Sequence, residues 1–388
     1  MENNVLIKNG REHIFIPLFG SPAELLKNHA EKFGKKEALI GIDADTGLTY
    51  SISYAKLFEV AMQTANFLFT KGVRKGDRIA FAFENTPSIL LLELGAGLLG
   101  ASCVPLDVKR DTPERKAFKL KDSNARVFFE DEQRLQRELY ASSLQSHVVS
   151  SGSLEDEYLL LYTSGTTANP KGVPLTLRSL FANAEGIIEW QKLSAGDRFL
   201  IVLPLHHVNS TTMSLATLLA GGTINLASRY SASRFWDIVS EHRATITSIV
   251  PTILHDLLVR KEEFFARGHS LPFFKRILIG SAPVLPDETM RFMETFGIDV
   301  VQGYGQTETA LRVTGVPVDL PREFYLAMTK KNSIGKELAF CNVAILRRDG
   351  SQADENEEGE ICIRGPVLGN GYLNNPEETE KTFSQGWF

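Results

Sequence analysis

The chain has 388 residues, 43% hydrophobic and 23% charged, with a net charge of −5. That length exceeds what one hydrophobic core normally organises, so two or three subdomains are expected, and the acidic balance without a basic run argues against a nucleic-acid surface. Charges throughout Met1–Phe15 exclude a signal peptide, and Glu93 with three glycines interrupts the longest apolar run, Ile89–Val104, too often for a membrane span.

The elements follow in chain order. Ser21-Pro22-Ala23-Glu24 is a capping box with proline at the first helical position, opening a helix to about Phe33. Ala38–Ile42 reads as a strand, Asp43–Gly47 as a turn and Leu48–Ile52 as the returning strand. Ser53–Lys71 is an amphipathic helix stopped by Gly72, followed by a buried strand at Ile79–Phe83, a helix starting near Thr86-Pro87 and a strand at Ser102–Leu106. Strands alternating with helices in this way indicate βαβ units and a mostly parallel sheet. Residues 131–156 are polar and read as an irregular surface excursion.

Tyr158–Tyr162 reads as a strand that empties into Thr163-Ser164-Gly165-Thr166-Thr167-Ala168-Asn169-Pro170-Lys171-Gly172. Several hydroxyl donors, exposed backbone N–H groups and one ammonium suit a polyphosphate; a hydroxyl-rich surface turn is the alternative. A Walker loop is excluded, because Pro170 precedes Lys171 and Gly172 stands where a hydroxyl residue is needed. The α/β rhythm then resumes, with strands at Phe199–Leu203, Thr223–Ala227, Ala244–Ile249 and Lys275–Gly280 and helices at Met213–Leu219 and Ser233–His242. From Ser333 the texture becomes β-rich, with Val343–Arg347 and Glu360–Arg364 as strands and the acidic run Asp354–Glu358 as a solvated hairpin tip. Cys103, Cys341 and Cys362 are odd in number and scattered, as small buried hydrophobes in a reducing compartment would be, so a cytoplasmic location is expected.

Two further segments carry chemistry. Leu203-Pro204-Leu205-His206-His207-Val208-Asn209 places two imidazoles at the carboxyl end of a strand, where open α/β sheets bind ligands; a packing histidine is the alternative. As a metal pair the two are poor, since neighbours on a strand point to opposite faces. In Gln302-Gly303-Tyr304-Gly305-Gln306-Thr307-Glu308-Thr309 the glycines admit a ligand close to the backbone, Tyr304 offers a stacking face, Thr307 a hydroxyl and Glu308 a hard oxygen for Mg2+. A dinucleotide fingerprint is unlikely here because Glu308 occupies the third glycine position.

The loop at Tyr162–Gly172 resembles the phosphate-binding signature of the adenylate-forming superfamily: acyl- and aryl-CoA synthetases, luciferases and adenylation domains. Ala168 departs from that pattern, where another glycine is usual. The other signatures follow in order at 203–209, 280–283, 302–309, 359–366 and 371–372. The implied fold is α/β: two packed α/β subdomains with mostly parallel sheets (75–195, and 20–70 with 198–315) and a small β-rich, distorted-barrel subdomain (320–388). The resemblance implies an N-terminal AMP-binding large domain without the family's small C-terminal domain, which supplies a catalytic lysine. The 388 residues alone would then bind ATP with at most trace catalysis.

By the same resemblance, Thr163, Ser164, Gly165, Thr166, Thr167 and Lys171 would hold the ATP phosphates. Gly280, Ser281, Ala282, Pro283, Gln302, Gly303, Tyr304 and Gly305 would contact adenine. Thr307 would contact phosphate, and Glu308 with Thr163 would hold Mg2+. His207 would close the acid tunnel, with Val208, Asn209 and Ala310 lining the acyl pocket; His207, Thr307, Glu308 and Lys171 form the catalytic set. The implied partners are ATP, a small carboxylic acid and coenzyme A. Alternatives are transfer to a carrier protein and a non-catalytic nucleotide- or acyl-binding homologue. Val208 stands where amino-acid-activating relatives place aspartate, and Gly303 where malonate-type relatives place arginine, so an apolar fatty or aryl acid is expected. Arg312 is the nearby charge set against that expectation; a surface or ion-paired role is the ordinary one for such a residue.

Overall fold

A computed structural model describes residues 5–8, 11–142, 150–163, 170–268 and 271–388. Local chemistry starts the first helix, Pro22–Phe33: the Ser21 hydroxyl accepts from the Glu24 N–H at 3.1 Å. Glu24 reaches back to the N–H of Gly20 at 2.7 Å, one residue before the cap rather than the cap itself. Ser53 caps the helix Tyr54–Thr70 in the same manner, accepting from the Lys56 N–H at 3.3 Å. The apolar run after Pro87 is a single helix, Pro87–Leu99, buried at every position, and Gly100 ends it in the left-handed conformation (φ 72).

Two sheets carry the architecture. One has five strands in the order Val127–Phe129, Arg78–Phe81, Ser102–Pro105, Glu157–Thr163, Lys171–Thr176, parallel except for the last pair. The other has nine, in the order Lys336–Glu337, Thr314–Gly315, Asp299–Tyr304, Arg276–Ile279, Ile246–Ile249, Arg198–Ile201, Thr223–Ala227, Glu37–Ile42, Thr49–Ser53. Its six inner strands are parallel and its edges antiparallel. The helix Leu177–Gln191 packs on the five-stranded sheet and Val208–Leu219 on the nine-stranded one, and these two helices pack on each other. The sheets therefore enclose a shared helical layer, and apolar side chains from both join one continuous core.

Asn342–Leu346 and Glu360–Arg364 form a separate antiparallel pair. Among the described residues no helix is long and apolar enough to cross a membrane. The segment expected to be irregular, 131–156, instead contains a helix, Glu132–Ala141, capped by the Asp131 carboxylate on the Arg134 N–H at 2.9 Å. It buries only Leu135, so it has no apolar stripe for a periodicity argument to find.

Candidate functional site

The phosphate-loop segment joins two antiparallel strands, Glu157–Thr163 and Lys171–Thr176, with Thr163 directly opposite Lys171. Ser164, Gly165, Thr166 and Thr167 lie outside the described residues. Lys171 is thus the first residue of a strand, and its side chain is aimed by that strand. Its Nζ lies 2.8 Å from Glu378 Oε1 and 4.5 Å from the centroid of the Tyr372 ring. The Tyr372 hydroxyl in turn donates to Glu308 Oε1 at 3.0 Å. One tyrosine therefore bridges the lysine and the carboxylate assigned by sequence to phosphate and metal. Burial, then the Glu308 charge, raises the Tyr372 phenol well above its ordinary value, so it remains a donor.

Backbone hydrogen bonds from 369–373 hold this bridge in place. Gly369 N–H donates to Glu308 O at 2.8 Å, Asn370 N–H to Pro174 O at 3.1 Å and Leu373 N–H to Gly172 O at 2.8 Å. The segment is stitched between the phosphate hairpin and the turn that carries Glu308. Glu378 follows on the short helix Pro376–Thr382, whose cap, Asn375, accepts from its N–H at 3.2 Å. From sequence Tyr372 is only part of the signature at 371–372 and Glu378 has no role; nothing local marks either, because both act through contacts with residues far along the chain.

The stretches assigned to adenine lie at neighbouring strand ends, since Ile279 pairs with Gln302 in parallel register. Gly280 and Gly303 are buried there, while Ser281, Ala282 and Pro283 are exposed. Tyr304 is partly buried, and burial followed by the Glu308 charge raises its phenol. Thr307–Thr309 forms one 3-10 turn, after which Ala310 (φ 55) and Leu311 (φ 129) run in the left-handed region. Gly305 is required beside them: a methyl there would overlap the Leu311 carbonyl. The strained segment is clamped by Asn183, whose Nδ2 donates to Thr309 O (3.0 Å) and Arg312 O (2.6 Å) and whose Oδ1 accepts from the Arg312 N–H (3.1 Å). Thr212 donates to Ala310 O at 2.8 Å and ties the helix Val208–Leu219 to the same turn.

Arg312 departs from its ordinary role. It is 1% exposed and makes no ion pair among the described residues; Nη1 donates to Gly303 O, while Nε and Nη2 have no partner.

The histidine segment also corrects an expectation. His206 and His207 lie in a turn after the strand Arg198–Ile201 rather than on it, and their rings pack with centroids 4.4 Å apart. Asn85 fixes this turn, donating to Leu203 O and accepting from the Leu205 N–H, each at 2.8 Å. His206 Nε2 sits 3.2 Å from Asp107 Oδ2, and ligand atoms of Asp107, His206 and His207 all lie within 4.8 Å of one another. Burial, and then the neighbouring His207, pushes His206 down to about 4, so it is neutral at neutral pH. His207 caps the helix Val208–Leu219 and is exposed, whereas Val208 and Asn209 are buried, with Asn209 donating to the Ser248 hydroxyl at 3.0 Å.

Residues 26–373 match the family of AMP-binding enzymes. The chain is 31% identical to an oxalate–CoA ligase from Arabidopsis thaliana, over 94% of this chain and 74% of that protein. It is 30% identical to a long-chain-fatty-acid–CoA ligase from Mycobacterium tuberculosis, again over 94% and 74%. The inhibitor-bound N-terminal domain of FACL13 from Mycobacterium tuberculosis superposes with a TM-score of 0.83 at 26% identity, covering 95% of both chains. The chain belongs to the AMP-binding enzyme family, within the adenylate-forming superfamily, and resembles its acyl-CoA synthetases most.

Proposed function

We propose that this chain binds ATP and serves the activation of a carboxylic acid as an acyl-adenylate, the acyl group then passing to the thiol of coenzyme A, with at most trace catalysis by these 388 residues alone. The observation that carries this reading is the Tyr372 bridge, which brings Lys171 and Glu308 to one place. Lys171, with the hydroxyls of the hairpin loop, would hold the outer phosphates. One acid oxygen would then approach the α-phosphorus in line as pyrophosphate departs, a reaction governed by positioning and charge neutralisation.

The Glu308 carboxylate fits a hard cation: among the described residues Tyr372 is its one side-chain partner, which leaves an oxygen for Mg2+. Bound there, Mg2+ would draw charge from the leaving pyrophosphate. His207 would gate the acid, with Val208, Asn209 and Ala310 as pocket wall. Coenzyme A as acceptor is supported by the relatives, which are named as CoA ligases.

The test is thermal stabilisation by Mg·ATP, since a ligand at 100 times its Kd stabilises by about 2.7 kcal/mol. Lys171→Ala is expected to weaken that shift well beyond Lys192→Ala, a surface lysine paired with Asp319 at 3.1 Å. No shift at millimolar Mg·ATP, or equal loss in both variants, would remove the phosphate assignment.

A further inference from the structure

We propose that Arg312 forms an anion subsite in the acid pocket, so that the acid activated by this chain is a dicarboxylic acid whose second carboxylate sits on the Arg312 guanidinium. This rests on the acid-activating reading above and names its substrate class.

On the acid-activating reading, Arg312 lies beside the residues assigned to the acyl pocket. Its backbone follows Ala310, which is tied to the helix Val208–Leu219 behind His207, and its side chain runs to the strand ends at Gly280 and Gly303. A methyl at Gly280 would overlap Arg312 Nη1, and one at Gly303 would lie 3.4 Å from Arg312 Cδ. Gly280 is what leaves room for the guanidinium between neighbouring strands. The Arg312 side chain passes beside Gly303, the position where malonate-type relatives place arginine.

The charge there is uncompensated. Burial pulls the guanidinium down to about 10, so it is still protonated at neutral pH. No carboxylate pairs with it among the described residues, and a buried charge without a partner costs stability. Its free donors are Nε and Nη2, the two nitrogens on the same edge of the planar group, while Nη1 is engaged by Gly303 O. Two parallel N–H groups on one edge are the fork that takes a carboxylate through both oxygens. A monocarboxylic acid commits its single charge to the α-phosphorus and leaves this fork empty; a dicarboxylic acid fills both.

The test measures midpoint shifts of the chain at constant ionic strength with oxalate, malonate, succinate and glutarate against butyrate and hexanoate, alone and with Mg·ATP. At least one dicarboxylate is expected to bind tenfold or more tightly than either monocarboxylate. Arg312→Met keeps the volume without the charge; it is expected to leave the free protein as stable as before or more so, to keep the Mg·ATP shift and to lose the dicarboxylate shift. Arg312→Lys is expected to retain part of it, and supplies the comparison if the methionine variant fails to fold. Monocarboxylates binding as well as dicarboxylates in the unaltered chain would overturn the proposal, as would a dicarboxylate shift that survives in both variants. Loss of ATP binding alone in Arg312→Met would assign the anion to the nucleotide and overturn it too. Failure of the unaltered chain to bind Mg·ATP would sink the parent reading, whereas intact ATP binding without dicarboxylate preference sinks only this one.

Discussion

Lys171 Nζ and Glu378 Oε1 are 2.8 Å apart, which places a carboxylate on the ammonium that would hold the phosphates. The carboxylate is held below its ordinary value by its hydrogen bond and charge interaction with Lys171, so Glu378 is ionised at neutral pH. ATP and Glu378 would therefore compete for one cation. Both side chains are partly exposed, so water screens the pair and it is weak. Glu378→Gln is expected to tighten Mg·ATP by a few-fold at most, read by calorimetric titration. Weaker binding in that variant would show Glu378 to be part of the nucleotide site.

Glu308→Gln separates metal from nucleotide. The amide keeps the shape and one oxygen but loses the charge a hard cation prefers. Binding of metal-free ATP is expected to change little, while the gain on adding Mg2+ largely disappears in a titration run with and without the ion. An unchanged Mg2+ response would make Glu308 simply the acceptor for Tyr372.

Glu93 gives the protein an alkaline limit. It is 1% exposed, in the centre of the helix Pro87–Leu99, and burial pushes its carboxyl up to about 8 despite a hydrogen bond from Thr211. The folded chain therefore holds a proton that the unfolded chain releases near the ordinary 4.5. Stability from this group is full below that value and declines as pH rises through about 8. Glu93→Gln, a neutral isostere, is expected to flatten that decline when denaturant midpoints are compared at pH 5, 7 and 9. A parallel decline in both proteins would assign it to other groups.

Asn183→Ala tests the clamp on the turn after Glu308. It removes three hydrogen bonds and strands buried backbone groups of Thr309 and Arg312. An unsatisfied buried group costs about 1–3 kcal/mol, so a loss of about 2–4 kcal/mol is expected, with an unchanged denaturant slope. A loss below about 0.5 kcal/mol would mean that the turn holds itself.

Much of this protein is decided by short-range pattern. Ser21-Pro22 and Ser53 announce their helices because capping uses residues three positions apart, and the strand Thr223–Ala227 falls where Ile224 and Leu226 alternate with Thr223 and Asn225. The order of Thr163–Lys171, Leu203–Asn209 and Gln302–Thr309 was likewise enough to indicate the adenylate-forming superfamily. The sequence could not show the long-range contacts: Tyr372 between Lys171 and Glu308, Glu378 on Lys171, Asp107 beside His206. A side chain's burial and partners are set by strands and helices that meet only when the sheets pack. Arg312 is the sharpest case. As one letter in a sequence it looks like a surface cation, and only the packing of its side chain against the strand ends at Gly280 and Gly303 removes it from water and leaves one edge of its guanidinium without a partner among the described residues.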